Sequence, residues 1–161
     1  MRWIGPRRVE TARHPDPSAV WPVRVRAHAI AENVPAHDLF LSPEHAVFLN
    51  GVLVPVRHLI NGTTIAQLPR AVVVYYHIEL PNHDLVLAEN MACETYLDTG
   101  NRDDFDNAGP VVAAHPRFAT ANDIWQARAC APQCRDGTRL DAIRTQLDRR
   151  ATAPQPRRAA A

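Results

Sequence analysis

The chain has 161 residues, of which 46% are hydrophobic and 22% charged, with a formal net charge of +1. That is enough apolar material for one domain with a real core, and too little net charge to draw the chain to nucleic acid or to an acidic membrane surface. All 18 basic residues are arginine, which reads as a coding-composition bias rather than a binding surface.

No apolar run approaches the ~18–20 residues that span a bilayer. The N-terminal MRWIGPRRVE lacks the apolar stretch of a secretory signal. The chain is therefore expected to be soluble and not itself exported, with the compartment of any longer parent left open. The six glycines are not clustered, so no phosphate-binding loop is present and no cofactor is expected. A Gly-x-Ser-x-Gly elbow is absent as well.

Taken in order, residues 2–13 (RWIGPRRVETAR) place Trp3, Ile4 and Val9 among arginines and suit a strand that begins abruptly. His14–Pro22 carries three prolines and reads as a loop. Val23–Ala27 alternates apolar and basic residues, the period of a half-buried strand. Asn33–Asp38 turns the chain, and Leu39-Phe40-Leu41 opens the central stretch, Leu39–Thr99. Within it, Asn50-Gly51 between two apolar runs predicts a tight type I′ hairpin, because both turn residues accept positive φ. His58–Gly62 predicts either a short helical turn or a second hairpin. Val72–Ile78 is a β-branched and aromatic strand. His83–Ala88 follows a Pro-Asn turn and is expected to pair with it as one more hairpin. The texture changes after residue 100. Residues 101–123 suit an extended segment, 122–131 a short helix, and Leu140, Ile143 and Leu147 mark a helix near 138–149 with Thr138 as its cap. The tail, 150–161, is of low complexity and is expected to be disordered. The fold class is all-β with a short C-terminal helical extension: a β domain over 2–100, an extension over 101–149 and the tail.

Eight histidines punctuate this framework. His14, His37 and His115 sit beside Pro or Asp in loops and need no function. His28 ends a strand, His58 lies in a turn, and His77 reads as a cross-strand packing residue. His45 differs, because Ser42-Pro43 turns the chain between two apolar strands and so holds the imidazole rigidly. Such a ring can move a proton near neutral pH. A metal set of His45, His77, His83 and Cys93 is a lesser reading, since neither helical spacing nor strand alternation selects those residues. Cys93, Cys130 and Cys134 make no even disulfide framework.

The run LSPEHAVFLNGVLVPVRHLINGTTI, followed by YYHIELPNHDLVLAENMACETYLDTGNR, closely resembles the bacterial Hint domain family, the Hedgehog/intein-like fold. RWIGPRRVE resembles a recurring strand of that family, and CAPQCRDGTRLDAIRTQL its C-terminal extension. The resemblance implies a horseshoe of intertwined hairpins. It also implies self-cleavage, in which an N-terminal Cys or Ser attacks the preceding carbonyl to give a thioester or ester. Ser42-Pro43-Glu44-His45 matches the family's T-x-x-H motif with Ser in the place of Thr, so His45 inherits the role of protonating the scissile amide. His83 and Asp84 match a late His-containing hairpin and are expected to give the site polar support. Asp38 is a further candidate to face it. The family's nucleophile and its closing His-Asn pair have no counterpart, so the domain is expected to lack its first strand or strands. Three origins are open: a start assigned too late, a fragment, or a degenerate domain. The implied partner is the chain's own upstream segment in a longer parent. Without that segment the family reaction is expected to be silent, and the alternative is a non-catalytic interaction module.

Overall fold

The computed structural model describes residues 1–108 and 120–153. The middle of the predicted extended segment and most of the predicted tail lie outside the described residues. The architecture is three antiparallel sheets with two helices after them, the all-β class with a helical extension.

The first sheet is a ribbon of β1 (Trp3–Glu10) and β7 (Val72–Glu79), with Trp3 opposite Glu79 and Glu10 opposite Val72. Pro6 has no N–H to give, so its pairing with Tyr76 must be a non-hydrogen-bonded one. By alternation the main-chain groups of Val74, Tyr76 and Ile78 then point away from β1. The outer edge of β1 is covered by the 105–108 loop, where Asp106 donates its N–H to the Pro6 carbonyl at 2.9 Å and accepts from the Arg8 N–H at 3.1 Å. On β7 only the Ile78 carbonyl finds a partner outward, the Tyr96 N–H at 2.7 Å, among the described residues.

The second sheet places β2 (Val23–Val25) between β3 (Leu39–Leu41) and β6 (Ile65–Gln67). The third runs β5-β4-β9-β8, from β4 (Ala46–Leu49), β5 (Val52–Pro55), β8 (Leu85–Ala88) and β9 (Met91–Glu94). The predicted hairpin at Asn50-Gly51 forms, with φ of 49° and 82° at the two turn residues. Between His58 and Gly62 the chain takes the helical option, a 3-10 turn over Val56–Leu59.

The expected pairing of Val72–Ile78 with His83–Ala88 does not occur. β7 pairs with β1 instead, and β8 pairs with β9 through Glu89-Asn90, both at positive φ. The physical reason is length and turn chemistry. Eight-residue β7 is matched along its whole length by β1, while Glu89-Asn90 makes the same tight turn as Asn-Gly without a glycine to announce it.

The core joins the second and third sheets through Val23, Val25, Val47, Val54, Val56, Leu59, Ile65 and Met91. The extension belongs to this core. α1 (Ala121–Arg128) starts at a capping box between Thr120 and Asp123, and α2 (Gly137–Thr152) buries Leu140, Ile143 and Leu147. α2 thus runs three residues past its predicted end, into the stretch expected to be a tail. Ahead of it, Leu53 in β5 donates its N–H to the Pro132 carbonyl at 2.9 Å and accepts from the Cys134 N–H at 2.8 Å. Replacing Ile143 by Ala should cost about 2–4 kcal/mol by leaving a cavity, whereas exposed Arg144→Ala should stay within about 0.5 kcal/mol. Urea unfolding checks this: the midpoint for Ile143→Ala should fall at unchanged slope. A loss below about 1 kcal/mol would mean that α2 is not part of the cooperative unit.

Candidate functional site

Ser42–His45 is a β-turn closed by the His45 N–H donating to the Ser42 carbonyl at 3.0 Å. Pro43 suits the second turn position, where its fixed φ is already correct. Two more bonds stitch the turn to the end of β5: Arg57 N–H to the Pro43 carbonyl and Val56 N–H to the His45 carbonyl, each at 3.0 Å. Glu44 points outward and bridges Arg57 at 2.5 Å and Arg135 at 3.2 Å. The imidazole of His45 is thus delivered from a turn with little freedom.

Burial holds the pKa of His45 below the ordinary histidine value, with the Glu94 charge and main chain opposing that shift. Its ring lies 5.5 Å from that of His77. His77 stands opposite Gly5 on the β1–β7 ribbon and contacts Phe105 at 5.1 Å and Tyr96 at 6.1 Å, both edge-on. Burial pushes His77 down to about 4, helped by His45 and Arg7 and resisted by Glu94. Trp3, Tyr96 and Phe105 pack mutually edge-on or tilted behind it, with the Arg102 guanidinium 4.6 Å above the Trp3 ring and paired with Glu79. That cluster fixes the ribbon, and with it His77, against the rest of the domain.

Glu94 is the acid of the site. Its Oε1 accepts the Ala46 N–H at 2.6 Å, and its Oε2 lies 3.8 Å from Nε2 of His83. The His83 side chain is fully buried, accepts the Cys130 N–H on Nδ1 at 3.0 Å, and meets the edge of Trp125 at 5.2 Å.

Two cavities meet at His45. One, of about 330 Å³, opens between Ser42–His45, Glu94, Tyr96, Gln133 and Arg135. The other, of about 230 Å³, is a largely apolar groove along Phe40, Val74, Tyr76 and Val86, with His45, His77 and Glu94 at its polar end. The strands along this groove, β3, β7 and β8, are each the last of their sheet among the described residues. Val74 and Tyr76 turn their main-chain groups outward there without partners among the described residues.

Of the predicted site residues, Ser42 and His45 line both cavities and His83 reaches the site through Glu94. Asp84 does not join them. It is exposed, its carboxylate accepts the Leu85 N–H at 2.8 Å, and its main chain pairs with Thr95, so it closes the start of β8. Asp38 likewise accepts the Ala27 N–H at 2.9 Å and is exposed, away from His45. Sequence reasoning missed Glu94 and set His77 aside as packing. The available signal was a carboxylate ending a buried strand, Met-Ala-Cys-Glu, where an unpaired charge is costly. Among the described residues no group of three or more His, Cys, Asp or Glu is arranged to hold a metal. No described helix is long and apolar enough to cross a membrane.

Cys93 and Cys130 are not activated as nucleophiles. Burial and the Glu94 charge push Cys93 up to about 12, and partial burial with Asp84 nearby raises exposed Cys130. A thiol held above its usual value carries little thiolate at neutral pH. His45, in contrast, is held below the ordinary histidine value by burial, so its ring rests uncharged at neutral pH. A neutral imidazole can accept a proton from an attacking group and return it to a departing amide nitrogen.

The depressed histidines set a pH dependence. Below about 6.5 the unfolded chain takes up protons that folded His77 refuses until about 4. Stability is therefore full above about 6.5 and is lost as pH falls toward 4. Urea midpoints at pH 7 and pH 4.5 should show this loss, and His77→Gln should reduce it. An unchanged difference in that variant would remove His77 as a contributor.

In comparison with known proteins, the family model for the Hint domain matches residues 1–100. No curated protein and no solved structure matches the chain. With its strand framework and the Ser-Pro-Glu-His turn inside the matched region, the chain belongs to the Hint domain family.

Proposed function

We propose that this domain is the histidine side of a Hint autoprocessing centre, acting on an extended polypeptide segment of its own parent that lies in the apolar groove. The observation that carries this reading is His45 itself, held at the end of a groove flanked by three sheet-edge strands. An extended peptide adds naturally to such edges, where main-chain bonds give affinity and alternate side chains enter pockets. Val74 and Tyr76 offer those bonds, and Phe40 and Val86 offer apolar contacts.

In this arrangement a Cys or Ser on the bound segment attacks the preceding carbonyl, and the peptide bond is exchanged for a thioester or ester. His45 takes the proton from the attacking group and delivers it to the amide nitrogen that leaves. Its uncharged resting state suits the first half of that cycle. Glu94, whose charge acts on the His45 ring, favours the protonated ring that follows. Ser42 lines the cavity beside His45, where its hydroxyl can orient the carbonyl. His83 supports the site from behind Glu94.

A non-catalytic Hint module that packs against a partner is the second reading. It is favoured by the state of Cys93 and Cys130, neither of which is an activated nucleophile.

The two readings separate in one experiment. The polypeptide is expressed together with all residues encoded in frame ahead of Met1 and is treated with hydroxylamine, which cleaves thioesters and esters. Autoprocessing predicts a new fragment at the segment's Cys or Ser, and His45→Ala should slow its appearance by about 10²-fold or more. No cleavage, or cleavage indifferent to His45→Ala, overturns the proposal and leaves the binding module.

A further inference from the structure

Glu94 lines both cavities beside His45 and is tied to the elements on either side of it. Its Oε1 takes the Ala46 N–H, the first main-chain donor after His45. Its Oε2 is buried and has no hydrogen-bond partner among the described residues, and neither does Nε2 of His83, which lies 3.8 Å from it.

The state of His83 follows from its other nitrogen. Nδ1 accepts the Cys130 N–H, so Nδ1 carries a lone pair and the proton of the ring sits on Nε2. The nitrogen that carries it lies 3.8 Å from Oε2 of Glu94. Two buried polar groups of complementary character, each otherwise unpaired, stand about 1 Å beyond normal hydrogen-bond length. Leaving both unpaired is costly, and a small inward movement satisfies both. The donor that sets the tautomer comes from the segment after α1, outside the region that the family model matches.

We propose that Glu94 is a positioning residue for His45, held in place by an Nε2-protonated His83 whose tautomer is set by the Cys130 main-chain N–H of the C-terminal extension. This rests on His45 being the acting group of the site, but it concerns the geometry of the folded chain and not the cleavage itself.

Charged and titratable groups reach His45 from several elements among the described residues. Glu94 and Cys93 come from β9, His77 and Tyr75 from β7 and Arg7 from β1, while Glu44, Tyr96 and Arg135 line its cavity. Glu94 is the charge that opposes desolvation of the His45 ring, so neutralising it has a defined sign.

The test is ¹H–¹⁵N correlation of the imidazole nitrogens in the full chain, followed from pH 8 to pH 4. His83 should show a protonated Nε2 and a bare Nδ1. In Glu94→Gln, which keeps an oxygen for the Ala46 N–H, the His45 midpoint should fall by roughly one pH unit through loss of the neighbouring charge. Glu94→Asp keeps the charge and should restore the midpoint to within about 0.3 unit of wild type, while the Ala46 amide resonance moves. A His83 protonated on Nδ1 overturns the proposal in the wild-type spectrum alone. So does a His45 midpoint within about 0.2 unit of wild type in Glu94→Gln. Should Glu94→Gln fail to fold, the wild-type tautomer and the Glu94→Asp titration decide. Failure of hydroxylamine cleavage would sink the autoprocessing reading and leave these spectra as expected, so the two outcomes are distinguishable.

Discussion

The pairing of β4 with β9 places the site. Val47 stands opposite Cys93, and this single register brings the end of β9 alongside the start of β4, where His45 has just left its turn. A slip of one residue would turn Glu94 to the other face of the sheet, because side chains alternate with a period of two. The bond from the Ala46 N–H to the Glu94 carboxylate guards against that slip, being short and charge-assisted. On the other side of the same strand pair, Val47 and Met91 are buried in the common core, so the register is fixed from both faces.

Electrostatics at the site then follow from burial. His45, His77 and Glu94 line the same two cavities, and Nε2 of His83 lies 3.8 Å from the Glu94 carboxylate. Charging a buried imidazole is penalised, so burial holds both His45 and His77 below the ordinary histidine value, with Glu94 opposing the shift in each. His77 is pushed down to about 4, the neighbouring His45 and Arg7 adding to the desolvation. His45 is set apart by its place, at the end of the Ser42–His45 turn where the two cavities meet.

Much of this framework was legible in the residues. Asn50-Gly51 announced its hairpin, Ser42-Pro43 announced the turn that carries His45, and Leu140, Ile143 and Leu147 announced α2 with their spacing. The partner of β8 was not legible. Glu89 and Asn90 adopt positive φ without a glycine, so the turn that joins β8 to β9 had no visible marker, and the Pro-Asn turn before His83 suggested the wrong neighbour. Glu94 was hidden for a related reason. Its meaning comes from a strand pairing far away in sequence, and local pattern carries no information about which strands will meet. His77 was assigned to packing, and it does pack, on Phe105 and Tyr96, but its inner edge also faces His45. Asp84 and Asp38 illustrate the opposite error. Carboxylates beside a motif looked like site residues, yet each is taken up by a neighbouring main-chain N–H at the surface.

The family match ends at residue 100, but the walls of the site do not. Gln133 and Arg135 line the His45 cavity, Trp125 covers the His83 ring, and the Cys130 N–H fixes its tautomer. The path of this segment is in turn fixed by its two bonds to Leu53 in β5 and by the burial of α2 behind it. A main-chain donor is indifferent to the side chain that carries it. In the proposed arrangement the extension therefore has to keep its course across the domain, and the buried face of α2 anchors that course. A change that loosens α2 should then reach the His83 ring through the main chain at Cys130.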